Sequence, residues 1–171
     1  MSDTPRLLSV APVVVMGVSG CGKTTVGQAL AARLQAKFLD ADDFHPAANV
    51  DKMRAGIPLT DDDRAPWLVI LNEQLRTGAA TGQRLVLACS ALKDRYRIAI
   101  ATGMQRVDWV FLDGSFDLIA ARMRERPGHY MPESLLRSQF EALERPDNAI
   151  CISIELSPAQ QVEAALAALA E

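Results

Sequence analysis

Cysteine is scarce in this chain: Cys21, Cys89 and Cys151 stand far apart in 171 residues, and no two form a CxxC pair. A disulfide framework and a cysteine zinc site are thereby excluded, and a reducing cytoplasm is the expected compartment. Positive charge is in deficit, with 18 Lys plus Arg against 21 Asp plus Glu and a net charge of −3. A nucleic-acid partner, which normally needs a basic face, is not expected. Long apolar runs are missing too. The run Val10–Met16 is too short to cross a bilayer, so no membrane association is expected. The segment Met1–Ser9 lacks the basic-then-apolar order of a secretory signal, and export is not expected. No internal repeat or low-complexity tract occurs, nor the NKxD motif by which GTPases read guanine.

What is present is the balance of a soluble globular domain, 49% apolar and 23% charged, in a length that fits one domain over residues 1–171. Short apolar runs alternate with amphipathic stretches. Strands are predicted at Val13–Met16, Lys37–Asp40, Leu85–Cys89, Val107–Asp113 and Ile150–Ile154. Helices are predicted at Thr24–Leu34, Ala65–Leu75, Lys93–Ala101, Phe116–Glu125, Pro132–Leu143 and Pro158–Ala170. Alternation of this kind gives right-handed βαβ units and an open parallel sheet, with ligands at the carboxyl ends of its strands. Two stretches read as mobile appendages: a substrate-binding segment at about 45–63, and a lid at about 124–133 around Pro127, Gly128 and Pro132.

The strongest motif is Gly17-Val18-Ser19-Gly20-Cys21-Gly22-Lys23-Thr24, a full GxxxxGK[ST] between a predicted strand and a predicted helix, with Thr25 next in line. Glycines let backbone N–H groups wrap a phosphate, and the helix N-terminus adds partial positive charge. Lys23 is then expected on the β- and γ-phosphates of ATP and the Thr24 hydroxyl on Mg²⁺. Cys21 inside this loop is either a thiol activated by Lys23 or a small filler. Asp40 ends the second strand, and Asp42 and Asp43 follow it. One of them can deprotonate an acceptor hydroxyl and another hold magnesium through water, or all three can simply close an Asx-rich turn. Thr60 reads as the N-cap of a helix with acids in its first turn, and Arg64 as a clasp for a carboxylate. Lys93 opposes the dipole of its own helix, a cost that a bound anion would offset. Arg122 and Arg126, four apart, share a helix face and read either as solvated or as the root of a lid. Trp67 reads as core or pocket wall, and Val110-Phe111-Leu112-Asp113 superficially fits the strand-plus-Asp motif of motor ATPases.

The segments GVSGCGKTT (17–25), DADDFHP (40–46), NVDKMRAGIPLTDDDRAPWL (49–68), CSALKDRYR (89–97) and GHYMPESLLRSQFEALERP (128–146) together resemble the gluconate kinases. These are small P-loop enzymes similar in fold to shikimate and nucleoside monophosphate kinases. The resemblance implies a five-stranded parallel sheet of order 2-3-1-4-5 with helices on both faces. It implies transfer of the ATP γ-phosphoryl to the 6-hydroxyl of D-gluconate, and a homodimer. At matching positions it implies Asp42 as base, with Asp43 beside it leaving that assignment open. His45, Arg64, Lys93 and Arg97 line the sugar-acid pocket, and Arg122 and Arg126 are lid arginines on ATP. Pro127 departs from the flexible polar residue expected in the lid. Another acceptor on the same fold, such as shikimate or a nucleoside monophosphate, and a nucleotide-dependent regulatory module stay open as alternatives.

Overall fold

The computed structural model describes residues 10–126 and 132–170. Five strands, β1 (Val13–Met16), β2 (Lys37–Asp40), β3 (Leu85–Ala88), β4 (Asp108–Asp113) and β5 (Ile150–Ser153), form one sheet of order β2-β3-β1-β4-β5. Every pairing is parallel; Val14, for example, lies opposite Leu87 on one side and Trp109 on the other. The strand positions and the order match the expectation, each boundary moving by no more than one residue.

Period-two alternation in β1 divides the core. Val13 and Val15 face Val26, Leu30, Ile119, Leu136 and Val162, which belong to the helices on one side. Val14 and Met16 face Trp67, Leu71, Leu75, Tyr96 and Ile100 on the other. With both faces covered, a strand has no room for a polar residue, and VVVM is the result. The helices are α1 (Lys23–Leu34), α2 (Ala47–Arg54), α3 (Asp61–Thr81), α4 (Asp94–Ala101), α5 (Phe116–Glu125), α6 (Glu133–Ala142) and α7 (Pro158–Leu169), with one 3-10 turn at Ala41–Phe44.

Two differences from expectation concern the site. The segment 45–63, read as an appendage, contains α2, fastened where Lys52 Nζ meets both Asp63 carboxylate oxygens at 2.8 Å. Helix α3 is twice the expected length. A Thr60–Asp63 capping box starts it, it runs through Pro66, and left-handed Gly82 ends it. The expected lid centre, residues 127–131 with Pro127, Gly128 and His129, lies outside the described residues. Its flanks are joined by an Arg124–Glu133 ion pair of 3.0 Å. Among the described residues no helix is long and apolar enough to cross a membrane.

Candidate active site

Four loops leave the carboxyl ends of β1, β2, β3 and β4, and two cavities open among the first three of them. The smaller, about 360 Å³, is lined by Ser19, Gly20, Gly22, Lys23, Thr24 and Thr25 with Asp40, Asp42 and Arg126. The larger, about 590 Å³, takes Asp42, His45, Arg64, Trp67, Lys93 and Tyr96 among its walls. Ser19, Asp42, Cys89 and Ser90 belong to both, so the two form one bent cleft with Asp42 at its corner.

The glycine loop turns back on itself because its glycines reach conformations other residues avoid. Gly17 has φ +149°, and a Cβ there would lie 2.7 Å from Cys21 Sγ and 3.0 Å from the Leu112 carbonyl oxygen. Lys23 Nζ donates to the carbonyls of Gly17 and Val18 at 3.1 and 3.0 Å, and so lies across the loop. Val18 and Cys21 are both 3% exposed and point into the core. Burial raises the Cys21 thiol pKa more than Lys23 lowers it. That decides the open choice for Cys21: it is a filler.

The carboxylates after β2 divide by position. Asp40 Oδ1 caps the turn by accepting from the Asp42 N–H at 3.0 Å. Asp43 lines neither cavity. The Asp42 side chain is 87% exposed and open to solvent along the cleft. Partial desolvation by the cleft walls and then the Asp40 charge raise its pKa, while His45 and Lys23 pull it down. His45 is stacked on Trp67, ring centroids 4.3 Å apart and planes at 13°. Trp67 is held in turn by Nε1–H donation to the Ala41 carbonyl at 2.7 Å. Burial lowers the His45 pKa, which favours the neutral ring.

Cations gather at the far end of the larger cavity. The Tyr96 ring has the Arg64 guanidinium 5.6 Å from its centroid and Lys93 Nζ at 5.7 Å. Tyr96 Oη accepts from Arg64 Nη1 at 3.3 Å and donates to Asp61 Oδ1 at 2.5 Å. That hydrogen bond is the main reason the Asp61 pKa is lowered. Arg64 thus keeps donors free toward the cavity while its position is fixed through a tyrosine.

Two expected site residues, Arg97 and Arg122, line neither cavity. Arg97 is 6% exposed and belongs to neither cavity's wall. Its Nη1 donates to the Ala91 carbonyl at 2.6 Å and its Nη2 to the Glu144 carbonyl at 2.7 Å, so it buttresses the loop after β3 from beneath. Arg122 Nη2 donates to the Ile154 carbonyl at 2.7 Å, beyond the end of β5, and lines neither cavity. Of the arginine pair only Arg126 reaches the smaller cavity. Asp113 is gripped by Arg145 at 3.1 and 2.6 Å and lines neither cavity, which leaves the motor-ATPase motif a superficial match.

Three residues escaped the sequence reading. Gln139 on α6 exchanges two hydrogen bonds with Ser19 of the glycine loop, 120 positions away. Tyr96 and Asn49 serve Arg64 and His45 respectively. No local pattern marks a contact of that separation. For Tyr96, its place one turn beyond Ser90-Ala91-Leu92-Lys93 was the available signal.

Comparison with known proteins agrees with this architecture. A family model described as an AAA domain matches residues 13–146. The thermosensitive gluconokinase of Escherichia coli strain K12 is 51% identical over 133 residues, 78% of this chain and 71% of that protein. The gluconokinase of Gluconobacter oxydans strain 621H is 49% identical over 146 residues, 85% and 79% of the two chains. A crystal structure of a gluconokinase from Sinorhizobium meliloti 1021 superposes with a TM-score of 0.85 at 43% identity, covering 95% of this chain and 93% of that one. With relatives this similar over most of both lengths, the chain belongs to the gluconokinase family.

Proposed function

We propose that this chain is an ATP-dependent gluconokinase, transferring the γ-phosphoryl of ATP to the 6-hydroxyl of D-gluconate to give 6-phospho-D-gluconate and ADP. The observation that carries the reading is the bent cleft. An anion-binding loop fills one arm, a cationic sugar-sized cavity fills the other, and a carboxylate stands at the corner. The family supplies the acceptor, since the similar proteins are gluconokinases.

In this reading the triphosphate lies along Ser19–Thr25, with backbone N–H groups of Gly20 and Gly22 and the α1 N-terminus facing its oxygens. Lys23 leaves the Gly17 and Val18 carbonyls for the β- and γ-phosphates. The residues also fit magnesium: the Thr24 hydroxyl and two carboxylates line the same arm, all hard oxygen donors. Among the described residues no cluster of three His, Cys, Asp or Glu forms a metal site of its own. Thr24 and phosphate oxygens would therefore hold the ion, which supplies charge neutralisation on the β- and γ-oxygens when bound.

Arg64 and Lys93 hold the gluconate carboxylate at the far end, which points the terminal hydroxyl at Asp42. Asp42 accepts the hydroxyl proton, the oxygen bonds to the γ-phosphorus, and the bond to the β–γ bridging oxygen breaks to release ADP. Arg126 stabilises charge on the transferring group. Asp42 is preferred to Asp43 as base because it alone of the two faces the cleft. The reading carries with it a cytoplasmic homodimer; its subunit number rests on the family resemblance and is measured by sedimentation velocity.

The test is ADP release with ATP·Mg²⁺ against D-gluconate, other aldonates, shikimate, AMP and no acceptor. Strong stimulation by D-gluconate is expected. Stimulation by shikimate or AMP alone would keep the phosphate arm and discard the Arg64 assignment. Nucleotide binding with no stimulated turnover would favour a regulatory module.

A further inference from the structure

Asn49 is a polar side chain only 3% exposed, on α2 behind His45, and the transfer scheme above gives it no task. One atom of its amide lies 2.9 Å from the Asp63 carbonyl oxygen and 3.2 Å from His45 Nδ1. A carbonyl oxygen only accepts, so the amide atom facing it is the nitrogen, Nδ2. That nitrogen carries two hydrogens; one goes to Asp63 and the second to Nδ1. Nδ1 is then an acceptor with no hydrogen of its own, and a neutral ring must carry its proton on Nε2. Burial keeps the ring neutral and Arg64 across the cavity adds to that effect, against the opposing pull of Asp42. Stacking on Trp67 fixes the ring plane.

His45 Nε2 stands 4.0 Å from Asp42 Oδ1, too far for a direct hydrogen bond. A hydroxyl oxygen about 2.8 Å from each would join them at an angle of roughly 90°. It would accept from Nε2–H and donate its own proton to Asp42. One lone pair is then left over, directed at neither residue.

We propose that Asn49 is a positioning residue that fixes His45 as the Nε2–H tautomer, and that His45 and Asp42 together grip the reacting hydroxyl of the acceptor through one donor and one acceptor. This rests on the kinase reading given above. The remaining lone pair attacks the γ-phosphorus while the hydroxyl proton passes to Asp42, and His45 keeps its own proton throughout. The opposite tautomer would set a ring lone pair against the hydroxyl oxygen and lose the grip. Lys23, Asp40 and Asp43 also act on Asp42, but none of them contacts the imidazole.

The experiment is a long-range ¹H–¹⁵N spectrum of histidine-labelled protein without substrate, with His45 assigned by its loss in His45→Gln. The proton is expected on Nε2 in the unsubstituted chain. In Asn49→Asp a carboxylate faces Nδ1 and draws the proton there. Turnover with D-gluconate then falls about tenfold or more, the scale of one lost hydrogen bond, while KM for ATP stays within about twofold. His45→Gln retains an amide N–H near the Nε2 position, so adding Asn49→Asp to it costs less than about twofold further. An Nδ1–H ring in the unsubstituted protein, or losses that add in full in the double variant, overturns the proposal. If circular dichroism shows Asn49→Asp unfolded, Asn49→Leu, which offers Nδ1 no donor, takes its place; a ring held there as fully in the Nε2–H form as in the unsubstituted chain also overturns it. Failure of every acceptor in the panel to stimulate ADP release would sink the kinase reading instead, and the tautomer is read without it.

Discussion

Ser19 and Gln139 hold each other twice: the Ser19 N–H donates to Gln139 Oε1 at 2.7 Å, and Gln139 Nε2 donates to Ser19 Oγ at 2.9 Å. The pair ties the glycine loop to α6, the helix that follows the expected lid. Gln139 also lines the larger cavity, so its amide borders both the phosphate arm and the acceptor arm.

Replacing Gln139 by Glu keeps the length of the side chain but sets a negative charge beside the phosphates. We expect kcat/KM for ATP to fall about tenfold or more, since a like charge a few ångströms from a triphosphate in a partly enclosed site costs at least about 1.4 kcal/mol. Gln139→Met, which removes both hydrogen bonds without adding charge, should lose less. Steady-state kinetics with ATP varied at saturating D-gluconate checks the order. Equal losses in the two variants would mean that the loop's anchorage, not the charge beside it, is what matters.

The Arg64–Tyr96–Asp61 chain predicts a graded series on the acceptor side. Arg64→Ala removes the carboxylate clasp and should raise KM for D-gluconate steeply, with KM for ATP little changed. Tyr96→Phe deletes only the hydroxyl between Arg64 and Asp61. It leaves the ring beneath three cations, Arg64, Lys93 and Arg95. Its KM for D-gluconate should rise by about three- to tenfold, the scale of one ordinary hydrogen bond. An effect of Tyr96→Phe confined to KM for ATP would remove Arg64 from the acceptor site.

Much of this arrangement was legible in the residues. The strand–GxxxxGK[ST]–helix order places the phosphate arm, and the acids after β2 must border it because β2 and β1 flank the same β3. The resemblance supplied the strand order and named Arg64 and Lys93. What stayed hidden has a physical cause in each case. Helix α2 buries only Asn49 of its AANVDKMR and owes its place to Asn49 and Lys52 reaching Asp63, contacts 11 to 14 positions distant. Arginine carries no sign of which of its uses will win. Arg64 faces a cavity, whereas Arg97 and Arg122, equally long and equally charged, are consumed by backbone carbonyls.

Asp63 should give the fold an acid-labile fastening. Its folded pKa is about 2, lowered first by the hydrogen bond from Lys52 and then by the Thr60 N–H. The unfolded chain binds the proton more readily, with a pKa near 3.8. Stability from this group is therefore fully present above about pH 4 and lost as pH falls through the window down to about 2. Asp63→Asn should lower the urea midpoint near neutral pH and flatten its dependence between pH 4 and 2. An unchanged slope in that window would assign the acid sensitivity to other carboxylates.

Arg97 separates structure from chemistry. If it held the acceptor, Arg97→Ala would raise KM for D-gluconate and leave the fold intact. Buried beneath the Ala91–Lys93 loop with its guanidinium on two carbonyls, it predicts the reverse. Removing it strands the Ala91 and Glu144 carbonyls and opens a cavity, at a cost of about 3 kcal/mol or more. For a domain of this size that corresponds to a fall in Tm of roughly 6–12 °C. Arg97→Lys can reach one carbonyl but not both, and should recover part of the loss. Thermal unfolding of both variants, followed by KM for D-gluconate measured well below the lowered Tm, decides the matter. A KM raised more than about tenfold with an unchanged Tm would return Arg97 to the acceptor cavity.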